Sequence, residues 1–212
     1  MTVQEKCLKR EVYVMASKVI TINRQYGSNG RQIGRKLAEQ MGVHFYDKDL
    51  LEMIQLNTNI PYEELVKVDE RAASKWRFPV DDAFQMQAKY RYEPMNDVVY
   101  KAQSAQIKTI AERESCVIVG RCSNYLLKDR PNHISVFIFA PIQKRIENVR
   151  ERSDISETEA AILIKKIDKE RRYYYNYHTD EKWEEMYQYD LCIDSSKFTA
   201  DEIVNMILAL DK

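Results

Sequence analysis

A strand, a glycine-bearing turn and a helix follow one another within residues 18–41, and this order constrains the fold more than any other segment. The run Val19–Ile22 is β-branched and apolar, which is typical of a buried strand. The segment Tyr26–Gly30 (YGSNG) holds residues that tolerate positive φ, so it predicts a turn. Apolar residues then recur at helical spacing, at Ile33, Leu37 and Met41. The segment therefore predicts an α/β protein.

The turn is a candidate anion site. When a helix follows such a turn, backbone N–H groups and the helix N-terminus both face whatever occupies it. Arg31 adds a fixed positive charge at the same place. The candidate phosphate-binding residues are Gly27, Ser28, Asn29, Gly30, Arg31 and Gln32. The same residues also fit a simple tight connection between a strand and a helix.

The turn differs from the phosphate-binding pattern G-x-x-x-x-G-K-[ST] at three positions. With Gly30 as the second glycine, Gln25 stands at the first glycine, Arg31 at the lysine and Gln32 at the hydroxyl. An arginine still binds phosphate oxygens, because its planar guanidinium forms a fork of donors. The substitutions thus leave phosphate binding possible and remove the hydroxyl that would hold magnesium.

Composition restricts the partners and the location. Lys plus Arg equals Asp plus Glu at 33 each, so bulk charge does not favour nucleic acid or a membrane surface. The four cysteines lie far apart, and no cluster has metal-ligand spacing. No apolar run reaches membrane-spanning length, and no apolar signal segment opens the chain. We expect a soluble, cytoplasmic protein that binds neither nucleic acid nor membrane; the oligomeric state is not indicated.

Strand and helix patterns alternate along the rest of the chain. Further strands are predicted at Val43–Tyr46, Cys116–Gly120, Ile134–Ala140 and Asp190–Asp194. Capping boxes at Ser156 and Thr199 predict two helix starts. Residues 1–17 form an N-terminal extension ahead of one domain at 18–212, and residues 57–94 read as a helical insertion. The alternation predicts a five-stranded parallel sheet with helices on both faces.

Ligands in such folds bind beyond the carboxyl ends of the strands. This rule brings the glycine turn, Asp47 and Arg121 to one edge of the sheet, because each follows a predicted strand. Asp47 equally fits a turn or cap after its strand. Arg121 directly follows the apolar run that ends at Gly120.

Arg171 lies in the basic segment 142–177, much of which fits a solvated pair of helices. Ala160, Ile164, Ile167 and Arg171 share one helical stripe, which places Arg171 on the apolar, inward face. An arginine on that face needs an anionic partner. A transferred phosphoryl group and a buried carboxylate both meet this requirement. The neighbouring Lys165, Lys166, Lys169 and Arg172 are predicted to be surface charges.

Four separated blocks resemble the cytidylate kinase-like family of P-loop proteins. The blocks read ITINRQYGSNGRQIGRKLAEQMGVHFYDKDLL, VIVGRCSNYLL, IDKERRYYYNYHT and YDLCIDSS. They occur in the family's order and span nearly the whole chain from Lys18 onward. The resemblance implies a three-layer P-loop kinase fold, with a helical insertion of the type that binds nucleoside monophosphates at 57–113 and a lid at 153–180.

The resemblance also implies a reaction and a set of roles. The expected activity is transfer of the ATP γ-phosphate to a CMP-like nucleoside monophosphate; the alternative is an ATP- or phosphate-binding protein with little or no kinase activity. Residues 27–32 would hold the ATP phosphates, Asp47 and Arg121 would bind the acceptor, and Arg31, Asp47 and Arg171 would act in catalysis. Residues 194–197 would lie near the donor base. Mg²⁺ is implied, but its ligands are not identifiable, since Gln32 and Cys122 stand where the family has better ones.

Overall fold

The computed structural model describes residues 17–47, 49–57, 60–70, 77–80 and 91–210. The predicted extension at 1–17 lies outside these residues except for Ser17. The strands are β1 (Val19–Arg24), β2 (His44–Tyr46), β3 (Arg77–Val80), β4 (Arg91–Pro94), β5 (Cys116–Val119), β6 (His133–Phe139) and β7 (Leu191–Asp194). The helices are α1 (Gly30–Met41), α2 (Asp49–Asn57), α3 (Tyr62–Val68), α4 (Met95–Arg113), α5 (Ser123–Leu126), α6 (Ile142–Arg150), α7 (Glu157–Thr179) and α8 (Ala200–Leu208).

A five-stranded sheet with the order β2-β5-β1-β6-β7 forms the centre of the fold. Every neighbouring pair in this sheet is parallel, as the sequence predicts. Ile22 of β1 pairs with Val119 of β5 on one side and Val136 of β6 on the other. The carboxyl ends of β1, β5 and β6 therefore meet at the centre of one sheet edge, and the segments that follow them start side by side.

Helices cover both faces of the sheet. On one face, Ile33 and Leu37 of α1 and Ile203 of α8 pack against strand residues such as Ile22. On the other face, buried residues of α2 and α4 pack against β5. The strand side chains are buried on both faces, which explains why β5 and β6 read as continuous apolar runs. The predicted three-layer α/β fold is confirmed.

The insertion at 57–113 contains strands as well as helices. Between α3 and α4, the segments β3 and β4 pair as an antiparallel ribbon, where the sequence predicts only helix. Pro79 lies within β3 and Pro94 ends β4. A proline in a strand pattern argues against a central strand, but a two-stranded ribbon consists only of edge strands, which accept proline.

Two helix starts follow the predicted caps. Ser156 and Thr199 each form a complete capping box with a glutamate three residues later, at the start of α7 and α8. Helix α7 continues to Thr179, so Arg171 lies within it. In the part of the chain that the structure describes, no helix is both long enough and apolar enough to cross a membrane.

Candidate functional site

The loop between β1 and α1 (residues 25–29, the glycine loop) needs glycine at position 27 for two reasons. Gly27 has φ +84°, which is unfavourable for residues with a side chain, and a Cβ at this position would lie 2.8 Å from the carbonyl oxygen of Arg145 in α6. Gly30 opens α1, and a Cβ there would lie 2.6 Å from the Cβ of Arg24. The backbone of the loop is therefore held close against both β1 and α6.

Ser28 shapes the loop from within. Its hydroxyl donates to the carbonyl oxygens of Gln25 at 2.8 Å and Ile138 at 3.0 Å. Its backbone N–H donates to the carbonyl oxygen of Gln25 at 3.3 Å. Both donors of Ser28 thus bond backbone carbonyl groups of the protein, and its part in phosphate binding stays a prediction.

A cavity of about 330 Å³ opens over the glycine loop. The first turn of α1 borders it, and the N–H groups of a first turn have no partner within the helix. Four arginines line the cavity together with the loop: Arg24, Arg31, Arg152 and Arg171. A cavity with free backbone donors and this many guanidinium groups is suited to a polyphosphate.

A second cavity, of about 310 Å³, adjoins the first. The two cavities share Asn29, Gln32 and Arg152. The guanidinium of Arg152 donates to Oδ1 of Asn29 at 2.9 Å, which places it between them. Ser195 and the partly exposed ring of Phe198 line the far side. Ser195 falls in the segment 194–197, which the family resemblance implies to lie near a donor base.

Three arginines surround the carboxylate of Glu70 and are called the arginine cluster: the buried Arg24 and Arg121 and the largely buried Arg171. Arg24 donates to both carboxylate oxygens of Glu70, at 2.9 and 3.1 Å. The backbone N–H of Arg121 donates to Oε1 of Glu70 at 3.2 Å. Nε of Arg171 lies 3.7 Å from Oε2 of Glu70. One carboxylate, at the end of α3, thus contacts a cationic site built by β1, the turn after β5, and α7.

The turn after β5 brings Arg121 into the cluster. Gly120, Arg121 and Cys122 have φ values of +77°, +54° and +56°, and consecutive left-handed residues of this kind store strain at functional sites. Nη1 of Arg121 donates to the carbonyl oxygen of Val119, the last residue of β5, at 2.9 Å. A Cβ on Gly120 would collide with the Glu70 carboxylate and the Arg24 guanidinium. Glycine at 120 therefore leaves the space in which an anion meets the cluster.

Asp47 and Asp69 complete the network. Nη1 of Arg121 donates to Asp47 at 2.5 Å, and its Nη2 donates to Asp69 at 2.7 Å. Nε of Arg31 also donates to Asp47, at 2.5 Å. Asp47 thus links the first turn of α1 to Arg121, and four arginines face three carboxylates at this sheet edge.

The charges of the network shift the ionisation of its members. Burial alone would raise the pKa of Glu70, but Arg24, Arg121 and Arg171 outweigh it and hold this pKa below its ordinary value. Burial would also raise the pKa of Asp47, but Arg121 and Arg24 outweigh it and hold this pKa below its ordinary value. Burial, together with repulsion from Arg24, lowers the pKa of Arg171 to about 10. Arg171 stays protonated at neutral pH, yet its site remains poor in negative charge.

The fold and the loop agree with the comparison to known protein families. Residues 19–197 match the model of the cytidylate kinase-like family. The chain belongs to this family. Two relatives, both named cytidylate kinase, match at low identity: one from Methanosarcina barkeri is 22% identical and covers 91% of this chain and 96% of its own. The other, from Pyrococcus furiosus, is 27% identical over 90% of this chain and 86% of its own.

Solved structures support the same fold. An uncharacterized protein from Eubacterium ventriosum superposes with a TM-score of 0.68 at 29% identity, covering 91% of this chain and 96% of that one. A gluconokinase from Sinorhizobium meliloti superposes with a TM-score of 0.52 at 16% identity, covering 92% and 91%. A shikimate kinase from Bacteroides thetaiotaomicron gives 0.52 at 12% identity, covering 90% and 95%. This member of the cytidylate kinase-like family therefore has a P-loop kinase fold.

Within this family fold, the structure brings together residues that are far apart in the sequence. The glycine loop, Arg31, Asp47, Arg121 and Arg171 meet at one sheet edge. The strand order predicts this position for the glycine turn, Asp47 and Arg121, whereas Arg171 reaches it from α7. The sequence analysis names both an anionic ligand and a buried carboxylate as partners for Arg171. The structure shows the carboxylate of Glu70 in that role.

Sequence reasoning missed four residues of the site: Arg24, Asp69, Glu70 and Arg152. Arg24 ends a fully buried strand, so the argument applied to Arg121 applies equally to it. Arg152 lies just beyond α6, in the basic segment that was read as a solvated helix pair. Asp69 and Glu70 follow α3 and reach the site only through tertiary packing, and no local pattern indicates them.

Helix α7 also forms a hydrogen bond with the glycine loop. Oδ1 of Asp168 accepts from the backbone N–H of Tyr26 at 2.8 Å, and its Oδ2 accepts from Nη1 of Arg145 at 2.5 Å. Arg171 lies one turn further along α7, and its Nη1 donates to the carbonyl oxygen of Arg24 at 3.1 Å. The predicted lid segment therefore contacts the loop through a carboxylate and the end of β1 through an arginine.

The tyrosine run in α7 packs inside the protein in part. Tyr174 and Tyr175 are buried, and their hydroxyls donate to Gln103 at 3.0 Å and Gln188 at 2.5 Å. Tyr173 and Tyr177 are partly exposed and stack on each other with ring centroids 6.1 Å apart. Packing of α7 against the rest of the protein therefore accounts for the two buried rings.

The residues at the site do not fit a magnesium ion held by the protein. Asp47 is one of the carboxylates at this sheet edge, but Arg31 and Arg121 both bind it. Cys122 is buried in an aromatic cluster, and burial raises the pKa of its thiol well above the ordinary value. Across the described ranges, no three side chains of ligand type come together.

Proposed function

We propose that this protein is an ATP-dependent phosphotransferase that moves the γ-phosphate to an acceptor bearing an anionic group, a nucleoside monophosphate such as CMP. The observation that carries the proposal is that two anion sites share residues. Arg24 and Arg171 line the cavity over the glycine loop and also hold Glu70 in the arginine cluster. A donor phosphate and an acceptor anion bound at these two places would therefore have the same two guanidinium groups between them.

This arrangement suits phosphoryl transfer. The reaction needs a cradle for the donor phosphates and fixed positive charge around the transferred group, and little covalent chemistry from the protein. The first turn of α1, Arg31 and Arg152 would hold the donor phosphates. Arg24 and Arg171 would face the transferred group, and Arg121 would bind the acceptor anion. The second cavity, between Arg152 and Phe198, would accept the donor base.

A transfer assay with a panel of acceptors tests the proposal. Radiolabelled ATP is incubated with the protein and either CMP, UMP, AMP, gluconate, shikimate or no acceptor, with and without Mg²⁺. We expect labelled product with a pyrimidine nucleoside monophosphate and none with the two acceptors that lack phosphate. Transfer to gluconate or shikimate in preference to every nucleotide would contradict the assignment of the acceptor.

A second function, nucleotide binding without phosphoryl transfer, is favoured by one observation. The site carboxylate Asp47 is bound by two guanidinium groups, and glutamine stands at position 32 where a P-loop kinase has a magnesium-binding hydroxyl. Calorimetry of ATP binding, together with the transfer assay, separates the two functions. Binding of ATP with no product from any acceptor would support the second function, and turnover would exclude it.

A further inference from the structure

Glu70 is bound in the way that the arginine cluster would bind a phosphate group. Two nitrogens of one guanidinium bond its two oxygens, a backbone N–H bonds one of them, and a second guanidinium lies close to the other. Fork-like arginine pairs of this kind recognise carboxylate and phosphate alike. The carboxylate thus mimics an anionic ligand, but it belongs to the protein itself.

The cluster has more donors than Glu70 can use. Nε of Arg24 is buried and has no acceptor among the described residues, and Arg24 is only 6% exposed. Arg171 is close enough to Glu70 for an ion pair at 3.7 Å, but too far for a hydrogen bond. A carboxylate has two oxygens, whereas a terminal phosphate group has three and a larger charge. A phosphate group therefore matches this cluster better than Glu70 does.

The backbone at Glu70 is also held in an unfavourable conformation. Its φ is +52°, in the left-handed region that residues with a side chain adopt rarely. Glu70 follows the end of α3 by two residues, so the ion pairs with the cluster fix the chain here. Release of the carboxylate would allow this residue to return to a more favourable conformation.

We infer that Glu70 is an internal competitor that occupies the anion site of Arg24, Arg121 and Arg171 until the anionic group of the acceptor displaces it. That the displacing anion is the acceptor rests on the proposed function, whereas competition between Glu70 and an anion does not. The protein would then bind an acceptor with a phosphate group in place of its own carboxylate. An acceptor without such a group would leave Glu70 in the cluster and the site closed.

Binding of inorganic phosphate, measured by calorimetry, tests the competition directly. In Glu70→Gln the competing charge is gone, and we expect phosphate to bind on the order of tenfold more tightly, as it would if Glu70 occupied the site in about nine molecules of ten. Glu64→Gln is the matched control. Glu64 lies in the same insertion and pairs with Lys67 in α3, away from the cluster, so its substitution leaves the affinity unchanged.

Two further variants remove the remaining ambiguities. Phosphate can also bind over the glycine loop. The phosphate affinities with and without Glu70→Gln are therefore compared again in a protein that also carries Arg152→Ala, which alters that cavity and not the cluster. The gain in phosphate affinity from Glu70→Gln must persist in this background. Glu70→Asp keeps the charge but shortens the side chain, so it also binds phosphate more tightly, and it serves if Glu70→Gln does not fold. No gain in either folded variant, or a gain that disappears with Arg152→Ala, would overturn the inference and leave Glu70 a structural ion-pair partner.

The transfer assay separates this inference from the proposed function. If both hold, Glu70→Gln lowers the KM for the acceptor and leaves the KM for ATP unchanged. If no acceptor is phosphorylated but phosphate still binds more tightly to Glu70→Gln, the proposed function fails and the competition stands. A functional kinase in which Glu70→Gln alters neither phosphate affinity nor acceptor KM would leave the proposed function intact and refute the competition.

Discussion

At the scale of single residues, space around the glycine loop matters as much as backbone freedom. Gly27 and Gly42 both have positive φ, but only Gly27 is crowded; nothing lies within 4 Å of a Cβ on Gly42. Gly42→Ala should therefore cost roughly 1 kcal/mol from backbone strain alone. Gly27→Ala should lose roughly a further 1–3 kcal/mol from overpacking against α6 and should weaken ATP binding. Denaturant unfolding and calorimetry measure the two effects; equal losses in both variants would contradict the crowding.

Arg31 is predicted to contribute to ATP binding more than its exposure suggests. Its side chain is half exposed, yet it lines the loop cavity and binds Asp47. Arg31→Ala should weaken ATP binding about tenfold, since a charge-assisted hydrogen bond contributes about 1.5–3 kcal/mol. Arg35→Ala, one turn along α1 and placed over the ring of Phe45, is the control. Equal ATP affinity for the wild type and Arg31→Ala would remove Arg31 from the donor site.

Residues that follow buried strands were predictable, and residues supplied by distant packing were not. Arg121 could be placed because an apolar run ends directly before it. Glu70 lies 46 positions from Arg24 and 51 from Arg121, and its contact depends on how the insertion folds back over the sheet. Its charge also fits a solvent-exposed position, so the sequence contains no sign that three arginines surround it.

At the scale of secondary structure elements, α7 carries the residue that we expect to act on the transferred group. Arg171 faces inward and Arg172 faces outward, where it pairs with the partly exposed Glu184. Arg171→Ala should lower kcat on the order of a hundredfold and change the ATP affinity by much less, because its charge is needed most in the transition state. Arg172→Ala should leave both values close to those of the wild type.

A structural role for Arg171 predicts a different result. If Arg171 serves only to pair with Glu70, its removal lowers the free energy of unfolding and leaves kcat per folded molecule unchanged. Thermal unfolding and active-site titration of the same preparations distinguish the two roles. Rescue of kcat by guanidinium ion in Arg171→Ala would further support a direct effect on the reaction.

The elements themselves were predictable where two signals agreed. Helices α7 and α8 have both a capping box and an apolar stripe, and both begin at the predicted cap. The ribbon of β3 and β4 has neither an alternating pattern nor a turn signal, and it contains prolines, so local propensity favoured other structures. The elements that carry the site belong mostly to the first class, which is why the turn before α1 and helix α7 could be predicted from the sequence.

At the scale of the whole molecule, the ion-pair network connects parts of the chain that are otherwise separate. It links β1, the turn after β5, the end of α3 and α7 through Arg24, Arg121, Glu70 and Arg171. Removal of one member of such a buried network leaves an unpaired charge and costs several kcal/mol. The stability of the molecule should therefore depend on the ionisation of the carboxylates at this edge.

The direction of this pH dependence follows from the lowered pKa values of Glu70 and Asp47. A carboxylate whose pKa is lower in the folded state contributes its full stabilisation above its unfolded pKa, near 4, and loses it as the pH falls through the folded value. Each tenfold change in the acid dissociation constant corresponds to about 1.4 kcal/mol. The free energy of unfolding should thus be constant near neutral pH and decline as the pH falls below about 4.

Denaturant unfolding of the wild type and Glu70→Gln at several pH values measures how much of this pH-dependent stability comes from Glu70. Glutamine has no charge to lose, so the wild type should be more stable at pH 7, and the difference should shrink on acidification as Glu70 becomes protonated. Glu64→Gln should track the wild type, since its partner Lys67 lies on the surface and such pairs contribute little. A difference between the wild type and Glu70→Gln that is the same at neutral and acidic pH would show that shape and hydrogen bonding, and not the charge of Glu70, hold the arginines in place.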